Sequence, residues 1–345
     1  MVTLSTTAPV SARTTTIRSF TLGIGLCSLA ALLLELALTR LFSVVLFYHF
    51  AFLAISIALL GLGAGGVFAY VRKAGLQVVE TRTLAARLCG ANAIAIPIVL
   101  EIVLHVPVSL ELSNYNLLKL TVLYLASAIP FFFTGLLFSV VFARETRTIT
   151  RLYGADLLGG ALACLCIVPL LNWLGGPNTI LFAATLMAIA GMIWAGSSAI
   201  RRWLALGALV LLGAIAANYN GRLIDVVYAK GMFRDKAWVE FARWNAISRV
   251  EVDQQGNHGK SVVIDADAST YIMNVDPHAW QGTVWQKNLM AAPPALANVL
   301  RPHGEYAIIG PGGGVDVLRA VANGSPSVTA IEINPIIANA VMRGR

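Results

Sequence analysis

Long apolar runs dominate the first two thirds of the chain, and a short polar or basic segment separates each run from the next. A helix needs about 20 residues to cross the bilayer core, and seven runs approach or exceed that length. The pattern predicts a multispan α-helical membrane domain over residues 1–218. The predicted spans lie near Phe20–Leu38, Phe50–Val71, Leu88–Val106, Leu118–Ala143, Ala155–Leu174, Thr179–Ala195 and Trp203–Ala217.

After residue 218 the apolar runs become short. The segments "RVEVD", "KSVVIDAD" and "STYIMN" alternate or are rich in β-branched residues, which predicts a small antiparallel β-rich domain over residues 219–282. Residues 283–345 then read as strand "EYAIIG", helix "VDVLRAVAN", strand "SVTAIEI" and helix "PIIANAVM". This order predicts the beginning of a Rossmann-like, methyltransferase-type α/β sheet.

The composition agrees with a membrane protein. Hydrophobic residues make up 57% of the chain and charged residues 12%, and the mean hydropathy is +0.75, which excludes an ordinary soluble globule. Residues 1–218 hold 13 Lys/Arg against 6 Asp/Glu, so the positive charge belongs to the membrane part. We therefore expect the lipid bilayer as a partner and no nucleic acid.

Basic residues occur in alternate connections between the predicted spans, which is the usual signature of the cytoplasmic side. The pattern predicts a cytoplasmic N-terminus and cytoplasmic even-numbered turns. The basic residues are Arg13, Arg18, Arg72, Lys73, Arg82, Arg87, Arg144, Arg147, Arg151, Arg201 and Arg202.

Seven spans would then leave the tail outside, whereas nucleotide cosubstrates are cytosolic. Three explanations stay open: the short seventh segment does not cross, a span has been missed, or the tail is extracytoplasmic. Four basic residues just beyond the seventh segment favour an inside tail: Arg222, Lys230, Arg234 and Lys236.

Ionisable residues within the predicted spans are costly and are often functional. Glu35, Arg40, Glu101 and His105 could form a polar path for a polyamine or a proton, or could pair with each other and fix the packing of helices. We favour the pairing. A metal site built from Glu101, His105 and His49 lacks a fourth ligand, so no metal is predicted.

The segment "IGPGGGVDVLRA" places Gly310, Gly312 and Gly314 directly after a predicted strand and at the start of a helix. Glycines allow a tight turn and close approach of a ligand, and a helix N-terminus favours polar or anionic groups. Glu332 ends the second strand, where a carboxylate can accept hydrogen bonds from ribose hydroxyls. Strand, turn, helix, strand and acid together predict a nucleotide-type site.

A second glycine pattern, "GLGAGG" at 61–66, matches the same fingerprint through Gly61, Gly63 and Gly66. It lies inside an apolar span with no strand before it. Small residues let membrane helices approach closely, so we predict helix packing here.

With these motifs, the tail resembles the S-adenosylmethionine-dependent methyltransferase fold as used by spermidine synthases, the polyamine aminopropyltransferases. The segments "ELALTRLFSVVLFYHFAFLAISIALLGLGAGG" and "LYGADLLGG" resemble bacterial membrane-bound spermidine synthase-like proteins. The resemblance implies S-adenosylmethionine or decarboxylated S-adenosylmethionine as cosubstrate, a polyamine or other small amine as acceptor, and a multi-pass location in the bacterial inner membrane. It implies a cosubstrate site formed by Gly310, Gly312, Gly314, Asp316, Glu332 and Asn334.

The chain also departs from that family. Gly313 stands where the family has an Asp, and "TVWQKN" stands where it has a Tyr-His pair. The catalytic loop that follows the third strand in the family has no counterpart before Arg345, so no catalytic residue is assigned and residues 304–345 alone are expected to fold incompletely.

Two functions from different classes remain open at this point. One is a membrane-anchored spermidine synthase-like transferase, or an inactive fragment of one, with aminopropyl and methyl transfer not distinguished. The alternative is a polytopic membrane carrier or scaffold with a vestigial nucleotide-binding tail.

Overall fold

A computed structural model describes residues 10–109, 111–221, 223–254 and 259–343. Arg222 and the side chain of Arg13, both used in the topology argument above, lie outside the described part. The described chain forms two compact units, Met1–Arg234 and Asp235–Arg345. The finer division into three domains at residues 218 and 282 stays a prediction.

The first unit is helical. Short 3-10 turns at Tyr48–Phe50 and Thr146–Thr148 accompany its helices, and a two-stranded antiparallel hairpin closes it. The helices are α1 Val10–Val45, α2 Leu53–Val71, α3 Lys73–Gln77, α4 Thr81–His105, α5 Asn114–Arg144, α6 Ile149–Trp194 and α7 Ser198–Ala217, and the strands are β1 Tyr228–Ala229 and β2 Met232–Phe233.

Among the described residues, six helical stretches are long and apolar enough to cross a membrane. The sequence predicts seven spans, and the difference lies in a single element, because α6 contains both the fifth and the sixth predicted span. The stretches are Arg18–Val45, Tyr48–Val71, Thr81–His105, Asn114–Arg144, Thr146–Trp194 and Ser198–Ala217.

The long helix α6 is interrupted at Gly175, whose φ of 78° and ψ of 173° are not helical. Near one end of α6, Asp156 accepts a hydrogen bond on its backbone carbonyl from Ser28 Oγ at 2.8 Å. At the other end, the ring of Trp194 lies 6.4 Å from that of Phe20.

These two contacts show that α6 folds back on itself. A straight helix would carry Asp156 and Trp194 roughly 57 Å apart, yet their partners Ser28 and Phe20 are separated by only about 12 Å along α1. The arms 149–174 and 176–194 are therefore antiparallel, and counting them separately gives seven membrane-length segments. Glycine permits the positive φ of the turn, and Pro177 can begin the second arm because the first turn of a helix needs no N–H from it.

One end of the helical unit gathers the basic connections, and we call it the basic end. Arg144 donates hydrogen bonds to the carbonyls of Val79 at 2.9 Å and Leu76 at 2.7 Å, which ties the end of α5 to the connection before α4. The guanidinium of Arg82 lies 3.4 Å from the carbonyl of Ile193. These contacts bring the connections around α3, between α5 and α6, and between α6 and α7 to the same end.

The opposite end holds the turn of α6 and the last residues of the unit. Asn178, just after the Gly175 turn, and Asn218, just after α7, exchange hydrogen bonds of 2.9 and 3.0 Å. The amide of Lys230 donates to the carbonyl of Val45 at the end of α1. Helix α7 therefore runs the length of the unit, and the chain reaches Arg234 at the end opposite the basic one.

Helices α2 and α5 pack closely through small residues, as the sequence predicts. Of the predicted glycines, Gly61 lies in the contact and a methyl group on Gly66 would lie 3.3 Å from Ser139 Oγ, whereas Gly63 is replaced by Gly65. A methyl group on Gly61 would lie 2.5 Å from the carbonyl oxygen of Ala128, and one on Gly65 would lie 2.5 Å from the amide of Leu136. A methyl group on Gly63 would meet nothing within 4 Å. Residues four apart share a helix face, so Gly61 and Gly65 form the contact.

The second unit contains a four-stranded antiparallel sheet in the order β3-β4-β5-β6, followed by a two-stranded parallel sheet. The sequence predicts β4, β5 and β6 but not β3. The remaining elements follow in chain order: β3 Val239–Trp244, β4 Arg249–Gln254, β5 Gly259–Ile264, β6 Ala268–Met273, α8 Val284–Ala291, α9 Leu296–Leu300, β7 Tyr306–Ile309, α10 Val315–Ala322, β8 Val328–Ile331 and a π-helix Ile336–Val341.

The predicted strand-helix-strand order is present as β7, α10 and β8. Only two strands pair, in parallel register from Tyr306 with Val328 to Ile309 with Ile331, so a Rossmann-like sheet is not confirmed. The π-helix packs on the antiparallel sheet, with Ile337 and Val341 buried against its apolar face. The last segment of the described chain thus buries its apolar side on strands that precede it, which residues 304–345 alone could not do.

A candidate ligand site at the glycine turn

The turn between β7 and α10 takes a backbone path that strongly favours glycine. Gly310, Gly312 and Gly314 have φ of 69°, 53° and 87°, in the left-handed region that other residues rarely adopt. The amide of Gly310 donates to the carbonyl of Ile331 at 2.9 Å, which joins the turn to the end of β8. The turn is therefore fixed against the neighbouring strand, directly before the first residue of α10.

Gly313 explains one departure from the family pattern. Its amide lies 3.3 Å from Thr270 Oγ1 of β6. A side chain here would overlap the carbonyl group of Tyr271 and lie 3.0 Å from the amide of Ile272. An aspartate does not fit at this position because the turn lies against the backbone of β6.

Glu332 follows β8 and is half-buried. Its Oε1 accepts a hydrogen bond of 2.8 Å from the amide of Asn334, which orients the carboxylate within its own loop. Within the described residues, Oε2 accepts no hydrogen bond. One carboxylate oxygen thus remains available to a donor from a ligand.

Of the predicted site residues, Gly314 and Glu332 line one cavity of about 480 Å³, and Gly310 and Gly312 do not. Its volume is within the range of small-molecule sites. Gly313, Gly314 and Glu332 provide its polar edge. Its other walls are mostly apolar and include Leu318, Val321 and Met342. The cavity therefore combines backbone at a helix N-terminus, one carboxylate and an apolar wall.

The two other residues of the predicted site have structural partners. Asp316 forms an ion pair with the buried guanidinium of Arg319, which also donates to the carbonyl of Leu289 at 3.0 Å. The buried Asn334 accepts a hydrogen bond from Asn245 at 2.9 Å and donates to Ser248 Oγ at 2.6 Å. Neither lines the cavity, and both fix the loops that surround it.

Sequence reasoning missed the apolar wall. Leu318 and Val321 are three residues apart on α10, a spacing that places them on one face, but that spacing equally fits burial in a core. Met342 and Arg343 follow the π-helix and reach the cavity only because that helix packs on the antiparallel sheet. No local signal in the sequence identifies these two residues.

The ionisable residues predicted within the spans of the helical unit have local partners. His105 Nδ1 lies 3.3 Å from Glu101 Oε2, and both side chains are about half exposed. The guanidinium of Arg40 donates to Ser43 Oγ on its own helix at 2.7 Å. The i,i+4 pair agrees with the pairing interpretation. Within the described residues no group of three or more His, Cys, Asp or Glu could hold a metal ion.

Comparison of the chain with protein-family models, with curated proteins and with solved structures finds no match. The fold defines the protein as one with membrane-length apolar helices and a small mixed C-terminal unit. Its function has to be argued from the geometry at the glycine turn.

Proposed function

We propose that the protein is a membrane-anchored, spermidine synthase-like transferase whose C-terminal unit binds S-adenosylmethionine or its decarboxylated form. The proposal depends on one observation: the glycine turn and Glu332, carried by two adjacent parallel strands, line the same cavity. A nucleoside placed there would donate ribose hydroxyls to Glu332 Oε2 and lay its base on the apolar wall. The backbone of the turn lets the ligand approach without a Cβ in the way.

The chemistry of such a transferase is a displacement at carbon. The lone pair of an acceptor amine forms the N–C bond while the C–S bond of the sulfonium breaks, and its electrons return to sulfur as a neutral thioether. The amine proton then passes to a base. We assign the cavity residues to cosubstrate binding and orientation, and we assign no base and no acceptor site.

A photolabelling experiment tests the site. The full chain in detergent is irradiated with an azido-adenosyl analogue of S-adenosylmethionine, as wild type and as Glu332→Gln. The variant keeps the size of the side chain and can still accept from the Asn334 amide, but it loses the charge. A hydrogen bond to a charged group contributes roughly 1.5–3 kcal/mol, so we expect at least a tenfold weaker labelling at subsaturating probe.

Glu305→Gln is the matched control, because Glu305 is an exposed acid that precedes β7 and does not line the cavity. It should label like the wild type. Equal labelling of Glu332→Gln and wild type, with both folded by size-exclusion chromatography, would remove the basis of the proposal and favour a vestigial tail.

Arg343 distinguishes the two cosubstrates. It lines the cavity and is exposed there, and a guanidinium pairs well with a carboxylate. S-adenosylmethionine carries that carboxylate and its decarboxylated form does not. We expect Arg343→Gln to weaken competition by S-adenosylmethionine several-fold and to leave competition by the decarboxylated compound unchanged. An equal effect on both competitors would show that Arg343 does not read the carboxylate.

A further inference from the structure

A second cavity lies wholly within the helical unit, at its basic end. It has a volume of about 280 Å³ and lies between the last turns of α2 and α5, next to the short helix α3. Its lining includes Gly66, Ala69, Lys73, Ser139, Ala143 and Arg144. The function proposed above does not use this cavity.

The cavity exists because small residues face each other where α2 and α5 leave their closest contact. Gly61 and Gly65 hold α2 against the backbone of α5. Beyond them, Gly66 and Ala69 face Ser139 and Ala143, and these side chains are too short to fill the gap between two helices. The space is therefore built by the helix packing and does not depend on a mobile loop.

Both charged residues that line the cavity are basic. The guanidinium of Arg144 is held in place, since it donates to the carbonyls of Leu76 and Val79 and to Thr81 Oγ1. Lys73 is exposed, and its ammonium makes no hydrogen bond or ion pair with any described residue. A fixed guanidinium and an ammonium that has no partner among the described residues, both lining the same cavity, suit an anionic group.

The position in the membrane indicates where that anion comes from. The basic end corresponds to the cytoplasmic side by the distribution of Lys and Arg, and the cytoplasmic leaflet carries the anionic lipids. Along α2, the large apolar side chains of Leu59, Leu60, Val67 and Val71 are exposed, as expected for a surface that faces acyl chains. A lipid lying along this face would bring its phosphate to the level of Lys73.

We propose that this cavity binds the headgroup of an anionic phospholipid, with Lys73 contacting the phosphate and Arg144 completing the positive edge. The exposed Tyr70 lies in the same lining, at the depth where tyrosine is enriched in membrane proteins. The rest of the lining mixes apolar side chains, such as Leu76 and Val140, with the polar Gln77 and Ser139. The exposed apolar side chains of α2 beside the cavity favour a lipid over a soluble phosphate, because they can contact acyl chains.

Native mass spectrometry of the full chain tests the assignment. The protein is released from detergent micelles that contain phosphatidylglycerol, phosphatidylcholine or both, and the retained lipids are counted. We expect the wild type to retain phosphatidylglycerol in preference to phosphatidylcholine. One basic residue near a membrane surface is worth about a fivefold change in affinity for anionic lipid, so Lys73→Gln should weaken retention of phosphatidylglycerol about fivefold.

Arg202→Gln is the matched control. Arg202 is an exposed basic residue at the same end but does not line the cavity, so its loss removes one charge without touching the site. It should retain phosphatidylglycerol like the wild type. An equal loss in both variants would mean a diffuse surface charge effect and would overturn the proposal, as would unchanged retention in Lys73→Gln.

Two further arms separate the remaining outcomes. Gly66→Leu fills the cavity without changing any charge and should reduce phosphatidylglycerol retention at least as much as Lys73→Gln. Retention at the wild-type level in Gly66→Leu would exclude the cavity as the site. Glycerol 3-phosphate should not displace the lipid at millimolar concentration, and displacement there would identify the ligand as a soluble phosphate and overturn the lipid assignment.

Discussion

Gly65→Ala is expected to destabilise the helical unit by about 3 kcal/mol, the upper part of the range for overpacking. The added methyl group would overlap the carbonyl oxygen of Phe132 and lie 2.5 Å from the amide of Leu136. Both atoms belong to the backbone of α5, so no side chain can rotate away and the two helices must separate. The measurement is the midpoint of thermal unfolding in detergent, monitored by the loss of the folded peak in size-exclusion chromatography.

Gly63→Ala, two residues away on the same helix, provides the comparison. A methyl group on Gly63 meets nothing within 4 Å, and alanine favours helix over glycine by roughly 1 kcal/mol in soluble hosts. Its midpoint should equal or exceed that of the wild type. Gly135→Ala, on the facing helix, should resemble Gly65→Ala because its methyl group would lie 2.7 Å from Leu62 Cα. Similar midpoints for the Gly63 and Gly65 variants would contradict the described contact.

Reporters fused along the helical unit are expected to place Arg234 outside the cytoplasm. Alkaline phosphatase, which is active only outside, should be active after residues 112 and 234 and inactive after residues 78 and 197. The reason is geometric: Arg234 follows the end that carries Asn178, Asn218 and the Lys230–Val45 contact. The connections around residues 78 and 197 are at the basic end. Green fluorescent protein at the same four positions should give the reverse pattern.

This result would also show whether the tail is extracytoplasmic, which is the third of the explanations for the conflict in topology. Activity after residue 112 but not after residue 234 would mean that α7 or one arm of α6 does not cross, or that a further segment does, and would contradict the topology described here. With both positions outside, the C-terminal unit would begin outside as well. The cosubstrate proposed for its cavity would then have to be present outside the cytoplasm. Labelling of intact cells with an impermeant probe measures whether the cavity can be reached from outside, separately from binding to the purified chain.

The sequence predicts helices and strands best where the spacing of apolar residues matches the regular repeat of the element. Apolar runs give the membrane-length helices, and the strand-turn-helix pattern locates β7, the glycine turn and α10. It predicts less well where the structure breaks the period. In β3 the buried residues Phe241 and Trp244 lie three apart and so on opposite faces of the strand, and the register also shifts between Val239 and Phe241. The sequence therefore shows no regular alternation there.

Contacts between distant residues account for the rest. Gly61 and Gly65 are four apart and could have been chosen over Gly63 from the helical period alone. That Gly313 lies against Tyr271, or that Asn334 bonds Asn245 and Ser248, depends on how the turn packs on an earlier sheet. Residue types and spacing predict the polar residues near the cavity. They do not show that Glu332 lines the cavity whereas Asn334 anchors the loop beside it.

The break at Gly175 determines whether the helical unit has an even or an odd number of membrane-length segments. If α6 continued straight through this residue, its two arms would make one crossing and the total number of crossings would be even. Arg234 would then lie on the same side of the membrane as the arginine-rich connections. Because Gly175 reverses the chain, we expect an odd number of crossings, with the start and the end of the unit in different compartments. On this topology, a single backbone conformation, accessible to glycine and to few other residues, would decide on which side of the membrane the rest of the polypeptide lies.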